Sequence, residues 1–405
     1  MRTQPVHRSE IEEAVMSLSR RAFVQTLGIG AAGALTSSFI ASRGREASLF
    51  GFEPLFAAEG DPIILASNEN PLGPGTKALE AVRAAYGPQG ALPGRYPFAI
   101  EDELIAALAR KNGVKPENIL LGCGSTQILR TSAQVFTSKT RPLVGSIPTY
   151  EECAGYAALI GSPVTGVPMT NDFRLDLDAT LKASKGAGLV FYCSPNNPTA
   201  TAMGGSDTKN FIAQLAKTSP ETTVLVDEAY YDYVTDPSYE TMIPVALVNP
   251  RVVVARTFSK AYGMAGLRVG YAIAHADTIK KMSDWESGGS LNILGLHAAL
   301  ATIDDSARLA AEKARNTEAR QYTIDWFKKN GYTPTDSQTN FLFVDLKRPA
   351  RGFRESCREM GVLVARDFPP YEKSHCRISI GTMAEMQRAI DVFSKVLSMP
   401  AKAAA

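Results

Sequence analysis

Histidine is scarce in this chain of 405 residues, which has four. The five cysteines, Cys123, Cys153, Cys193, Cys357 and Cys376, never form a Cys-x-x-Cys pair. Together these shortages leave no material for a zinc-type ligand cluster. An odd number of thiols cannot close a complete disulfide framework within one chain. They read instead as small buried hydrophobes, and Cys193 fits its apolar run Leu189-Val-Phe-Tyr-Cys193. Basic blocks are missing as well. The 43 Lys and Arg against 41 Asp and Glu leave a net charge of +2, which excludes an electrostatic grip on nucleic acid. The 32 glycines and 24 prolines are scattered, so collagen-like and low-complexity readings fail.

What is present is ordinary globular material, 45% hydrophobic and 21% charged. The length suits two or three units, or one large domain with a smaller satellite. Long apolar runs are absent except near the N-terminus. There Ser19-Arg20-Arg21-Ala-Phe-Val-Gln25 precedes a small-residue apolar stretch from Thr26 to Ala41. Paired arginines ahead of a short, mildly apolar segment resemble a twin-arginine export signal. The stretch falls short of the roughly 20 residues that span a bilayer, so a permanent anchor is not expected. Glu10, Glu12 and Glu13 are out of place in a signal, and Met16 offers a later start. The expected location is therefore exported, periplasmic, with cleavage between Ala41 and Ala58.

From Asp61 onward, helical and strand patterns alternate. Short apolar runs bounded by Gly, Pro, Asn or Asp predict strands at 118–121, 142–145, 189–193, 223–226, 251–255 and 267–274. Helical spacing appears at 76–86 and 100–111, and between most of the runs, near 126–136, 150–160, 206–217 and 276–287. Continuous apolar strands between helices predict a mainly parallel sheet covered on both faces. After helices at 291–303 and 305–329 the pattern changes. Strands at 340–346, 362–365 and 376–380 alternate with helices at 351–360 and 383–397, a second and smaller α/β unit. The expected division is 1–58 signal and linker, 59–95 N-terminal segment, 96–290 large domain and 291–400 small domain.

Four motifs fall in loops just after predicted strands, where open α/β sheets place their ligands. Gly122-Cys-Gly124-Ser125-Thr126-Gln opens a helix, so glycine and free N–H groups can cradle an anion. Ser194-Pro-Asn196-Asn197-Pro198-Thr199 is stiffened by two prolines and presents amides in fixed directions. Asp227-Glu-Ala-Tyr230 ends the apolar run Val224-Leu-Val, and a carboxylate there needs a positive partner. A protonated ring nitrogen would serve. Finally, Lys260 follows an apolar strand within Thr257-Phe-Ser259-Lys260-Ala-Tyr-Gly-Met-Ala-Gly266-Leu-Arg268. Shelter lowers a lysine's pKa and supplies the neutral amine that imine chemistry requires. Anion cradle, amide, buried carboxylate and amine together describe pyridoxal 5′-phosphate as the ligand.

At these residues the chain resembles the fold-type-I, class I/II aminotransferases, and among them the histidinol-phosphate aminotransferase branch. Further matching residues are Asn68-Glu-Asn-Pro71, Arg95-Tyr96-Pro97, Pro148-Thr149-Tyr150 and Arg377-Ile-Ser-Ile-Gly381, so the likeness runs from about 62 to 398. The resemblance implies an α/β fold of type I, with a large pyridoxal-phosphate domain and a smaller α/β C-terminal domain. It implies that Lys260 forms a Schiff base and shuttles the proton. Asp227 would keep the ring nitrogen protonated, and Asn197 and Tyr230 would bond the phenolic oxygen. Tyr150 would stack on the ring. Gly124, Ser125, Thr126, Ser259 and Arg268 would hold the phosphate, with Tyr96 reaching it from a partner subunit of a homodimer. Arg377 would grip the substrate carboxylate, and Asn197 would also count among the substrate-binding residues. Substrates would be an amino acid and a 2-oxo acid, with decarboxylation or racemisation on the same fold as the alternative. Two positions depart from the family. Ala200 stands where glycine is usual, which stiffens that loop, and Gly-Ser-Thr-Gln replaces a cradle that often carries acidic residues, which points away from histidinol phosphate itself.

Overall fold

The strands at the middle of the chain are apolar on both faces, and that property sets the architecture. The computed structural model describes residues 62–87 and 92–401, all within one compact unit. Arg20 and Arg21 lie outside the described residues. The strands are β1 (Ile63–Leu65), β2 (Ile119–Gly122), β3 (Leu143–Ile147), β4 (Val164–Pro168), β5 (Leu189–Cys193) and β6 (Thr223–Asp227). They continue with β7 (Val252–Thr257), β8 (Gly270–Ala274), β9 (Thr333–Pro334), β10 (Phe341–Asp345), β11 (Val362–Val364) and β12 (His375–Ser379). The helices begin with α1 (Thr76–Tyr86), α2 (Phe98–Asn112), α3 (Gly124–Phe136), α4 (Glu152–Leu159), α5 (Leu177–Ala183) and α6 (Gly205–Thr218). The rest are α7 (Ile243–Val248), α8 (Ala276–Ser283), α9 (Ile293–Thr302), α10 (Ser306–Lys329), α11 (Ala350–Glu359) and α12 (Met383–Ser398). No described helix is long and apolar enough to cross a membrane.

Seven strands form the main sheet in the order β2-β8-β7-β6-β5-β3-β4. All neighbours run parallel except β8, which is antiparallel to both β2 and β7. Alternate residues go to opposite faces. Val190, Tyr192, Val224, Val226, Val252 and Val254 enter one apolar core, which α9 completes with Leu296 and Ala299. Leu189, Phe191, Cys193, Leu225, Val253 and Ala255 enter the other, under α3. Each Val, Leu or Phe among them, fully buried, contributes roughly 1.5–3 kcal/mol. The sequence expectation of a mainly parallel sheet covered on both faces describes this arrangement.

A second layer surrounds β12, β10 and β9, an antiparallel sheet, with α11 and α12 packed through Phe353, Ile390 and Phe393. Thr382 and Glu385 close a reciprocal capping box that fixes where α12 begins. The N-terminal β1 pairs in parallel with β11, so Ile63 and Leu65 belong to this core despite their distance in sequence.

Several elements escape the sequence patterns. Edge strand β4 is mostly exposed and carries Gly166 and Pro168, so it has no apolar alternation to read. The short helices α5 and α7 fall in stretches where no helix is expected. The strand expected over 267–274 begins only at Gly270, because Ala265–Leu267 form a helical turn and Arg268 sits at φ 57°.

Candidate active site

The antiparallel β8 explains why distant motifs meet. Cys193 lies beside Asp227, and Asp227 beside Ala255, so the ends of β5, β6 and β7 are level. Gly270, at the start of β8, pairs with Thr257 at the end of β7 and with Gly122 at the end of β2. Arg268, just before β8, is thereby delivered to the same edge as Lys260, just after β7. A pocket of about 310 Å³ opens there. Ser125, Thr126, Tyr150, Asn197, Asp227, Tyr230, Ser259, Lys260, Arg268 and Arg377 all line it.

The anion cradle is built from the first turn of α3, whose leading N–H groups have no partners within the helix. Gly124 takes φ +71°, and any side chain there would strike the Arg268 guanidinium. Arg268 donates to Ser259 Oγ at 3.3 Å and to the Ala265 carbonyl at 2.9 Å. Ser259 Oγ also accepts from the Thr257 hydroxyl at 2.9 Å. Hydroxyls, guanidinium and helix N-terminus therefore converge on one small volume, as a phosphate requires.

Asp227 is buried at the end of β6. Its Oδ1 accepts from the Ala229 N–H at 3.2 Å, and the Cys193 thiol lies 3.9 Å from Oδ2. Among the described residues no side-chain cation forms an ion pair with it. Burial raises its pKa from the ordinary 3.8 to about 7, against the opposing effect of the Ala229 hydrogen bond. Lys260 shows the converse. Shelter in the pocket wall, then the nearby Arg377 charge, lower its pKa to about 8, and its Nζ donates to the Ser67 carbonyl at 3.2 Å.

In the Ser194–Thr199 loop the two asparagines divide their tasks. Asn196 is fully buried and braces the loop: its Nδ2 donates to the Pro148 carbonyl and Thr199 Oγ1, and its Oδ1 accepts from Thr149. Asn197 faces the pocket, where its Oδ1 accepts from Arg377 Nη1 at 2.7 Å. Arg377 also donates to the Ala66 carbonyl at 2.6 Å, while its buried Nε has no acceptor among the described residues. The Tyr230 hydroxyl accepts from Asn68 Nδ2 at 3.1 Å, and burial pushes its phenol upward. Burial also raises the Tyr150 phenol, which a hydrogen bond with Thr126 partly offsets. Ala200 adopts φ +66°, the left-handed region where glycine is usual. The strain of about 1–2 kcal/mol is offset by burying its methyl beside Tyr230 and Phe341.

Tyr96 does not line this pocket. It is 78% exposed and stacks on the exposed Phe98 with ring centroids 5.7 Å apart. Sequence reasoning also assigned no role to Ser67, Asn68, Glu69, Thr149, Thr257, Arg366 and Phe368, which do line it. Asn68 and Thr149 sit in motifs matched above. Arg366 and Phe368 follow a strand in a Pro-rich loop, a weaker signal. Of the cysteines, Cys123 beside the cradle is exposed, whereas the other four are buried.

The family model "Aminotransferase class I and II" matches residues 60–393. A histidinol-phosphate aminotransferase of Moorella thermoacetica is 34% identical, covering 84% of this chain and 86% of that protein. Histidinol-phosphate aminotransferase 2 of Methylococcus capsulatus is 35% identical over 83% and 90%. The crystal structure of the Sinorhizobium meliloti histidinol-phosphate aminotransferase in complex with pyridoxal-5′-phosphate has a TM-score of 0.76 at 27% identity, covering 83% and 91%. The chain belongs to the class I and II aminotransferases. It is a pyridoxal-phosphate-dependent transaminase of the type-I fold, similar to the histidinol-phosphate enzymes.

The raised Asp227 pKa predicts an unusual stability profile for cofactor-free protein. Below about pH 4 the carboxyl is protonated in both folded and unfolded chains. As pH rises, the unfolded chain ionises first, so the fold loses stability up to about pH 7, by roughly 4 kcal/mol. Asp227→Asn removes this loss. Urea titrations of both cofactor-free proteins should show the variant more stable by a few kcal/mol at pH 8 and by less at pH 5. A gap that does not change with pH would mean that the carboxylate is not the cause.

Proposed function

We propose that this transaminase passes an amino group from an amino acid to a 2-oxo acid, with Lys260 as the amine that both holds the cofactor and moves the proton. The observation carrying this is Lys260 and Asp227 in one pocket, with burial shifting each toward its neutral form. When bound, pyridoxal phosphate supplies an aldehyde for amines and a ring that takes up the electron pair released at Cα. The residues fit it. Asp227, a carboxylate lacking a cation, matches a protonated ring nitrogen, whose charge it would hold in place. The cradle of Gly124, Ser125, Thr126, Ser259 and Arg268 takes the phosphate, and Tyr150 covers a ring face. Because Asn197 Oδ1 and the Tyr230 oxygen already accept bonds, the Asn197 amide and Tyr230 hydroxyl keep protons to donate to the phenolic oxygen. Arg377, which lines the pocket, takes the substrate carboxylate through its guanidinium. Lys260, near pKa 8, is neutral in a sizeable fraction of molecules at pH 7.5 and can accept the Cα proton.

Lys260→Ala should lose the cofactor's visible absorbance on dialysis and at least 10³-fold of turnover. The assay follows cofactor absorbance with a panel of amino acids, alongside released carbon dioxide. Retained turnover in the variant ends the assignment, and stoichiometric carbon dioxide would make the chain a decarboxylase.

Tyr96 supports a homodimer with shared sites, since it lies exposed beside Phe98 and away from its own chain's pocket. A dimer mixed from Tyr96→Phe and Lys260→Ala chains contains one site with both native residues. It should exceed both parent dimers in activity. Equal or lower activity, or a monomer by light scattering, contradicts sharing.

Export is proposed through Arg20 and Arg21, with cleavage before Asp61. Pyridoxal phosphate is charged, so a route carrying folded protein would let Lys260 acquire it beforehand. Changing both arginines to lysine should leave active enzyme in the cytoplasm. Fractionation finding the variant still exported, or native protein never exported, refutes this route.

A further inference from the structure

Four cationic side chains reach the pocket: Lys260, Arg268, Arg366 and Arg377. The transaminase reading uses three of them and leaves Arg366. Its guanidinium is already engaged, because it pairs with Glu151, the residue after the pocket-lining Tyr150. It also donates to the Asp367 carbonyl at 3.0 Å, and Arg354 holds the Asp367 carboxylate at 2.9 Å. The Phe368 ring lies 4.6 Å from Arg366 and 4.8 Å from Arg377, so one aromatic ring braces both guanidinium groups. The loop bearing Arg366 is thus anchored on its own side and tied to the segment that carries Tyr150.

Glu151 follows Tyr150 and lines an apolar groove that shares Thr149 with the pocket. Glu69 is the other carboxylate at the pocket once Asp227 is assigned to the ring nitrogen. With Arg268 on the phosphate and Arg377 on the substrate carboxylate, the charges left at the pocket wall are Arg366 and Glu69, and Glu151 offsets Arg366 from just outside the wall. The sum is negative, although an arginine points in.

We propose that Glu151 is a specificity-determining residue. By neutralising Arg366 it directs the side-chain subsite toward amino acids with uncharged or cationic side chains, and away from those carrying a second carboxylate or a phosphate. This rests on the transaminase reading and narrows its substrate class. On this reading the chain would disfavour a phosphorylated substrate of the kind for which two of its relatives are named. The two side chains remain 54% and 60% exposed, so water and salt screen the pair, and it weights rates rather than forbidding a substrate.

The test uses full-length holoenzyme and Glu151→Gln, with the cofactor half-reaction followed for leucine, lysine, glutamate and O-phosphoserine. Wild type should show at least tenfold higher kcat/KM for leucine or lysine than for either anionic amino acid. Glu151→Gln should raise the anionic-to-neutral ratio about tenfold, the equivalent of about 1.4 kcal/mol, and added salt should shrink the difference. A merely structural role would lower all four rates together and leave the ratio alone. A ratio changed less than twofold, or a wild type preferring glutamate or phosphoserine, overturns the inference while transamination stands. Failure of leucine and lysine to convert the wild-type cofactor overturns this inference, and failure of every amino acid in a broad panel overturns the transaminase reading with it.

Discussion

The site depends on a carboxylate without a cation. Asp227 ends a strand buried on both faces, in the middle of a seven-stranded sheet, where an ionised group is costly. Among the described residues one backbone N–H, the charge of nearby Lys260 and a neighbouring thiol relieve that cost only in part. The apolar strands that create the burial also level the ends of β5 and β7 on either side. The same exclusion of water that lifts Asp227 depresses Lys260. One physical cause thus prepares both a partner for a protonated ring and a nucleophilic amine.

The second dependence is on strand direction. In a purely parallel sheet, the residue before β8 would lie at the opposite edge from Lys260. Because β8 runs antiparallel, Arg268 enters at the shared edge, and Gly270 permits the close approach of the α3 backbone. The phosphate cradle therefore comes from three neighbouring strands and one helix N-terminus, with no side chain reaching across the sheet.

Much of this was legible in sequence, for identifiable reasons. The ends of β5, β6 and β7 are marked by abrupt changes from apolar runs to Ser194, Asp227 and Ser259, so chemistry placed there is easy to read. The Gly124 cradle is marked by residue type, since only glycine tolerates the nearby guanidinium. Pocket residues from other layers were not legible in the same way. Ser67 and Glu69 reach the pocket through long-range contacts, β1 pairing with β11 some three hundred residues away and Asn68 bonding to Ser379 and Tyr230. Arg366 and Phe368 arrive on a loop whose course is fixed by the Arg354–Asp367 pair, and neither partner has a local pattern. The exposed β4 was missed because its core-facing signal is a single residue, Val167.

Those hidden residues also show why the smaller layer belongs to the active site and does not merely flank it. The Asn68 backbone N–H donates to Ser379 Oγ, Ser379 Oγ donates to Asn68 Oδ1, and Asn340 donates to the Asn68 carbonyl. The same asparagine then donates to the Tyr230 hydroxyl on the large sheet. Arg377, on β12, repeats the connection through Ala66 on one side and Asn197 on the other. Two strands of the smaller sheet therefore set the position of a tyrosine and an asparagine that face the cofactor's place. A displacement of β12 cannot be absorbed locally, because its arginine is bonded to both the N-terminal segment and the Asn197 loop. On the proposed role of Arg377, grip on a substrate carboxylate and the orientation of the Asn197 amide would be coupled, since the same guanidinium also holds Asn197 Oδ1.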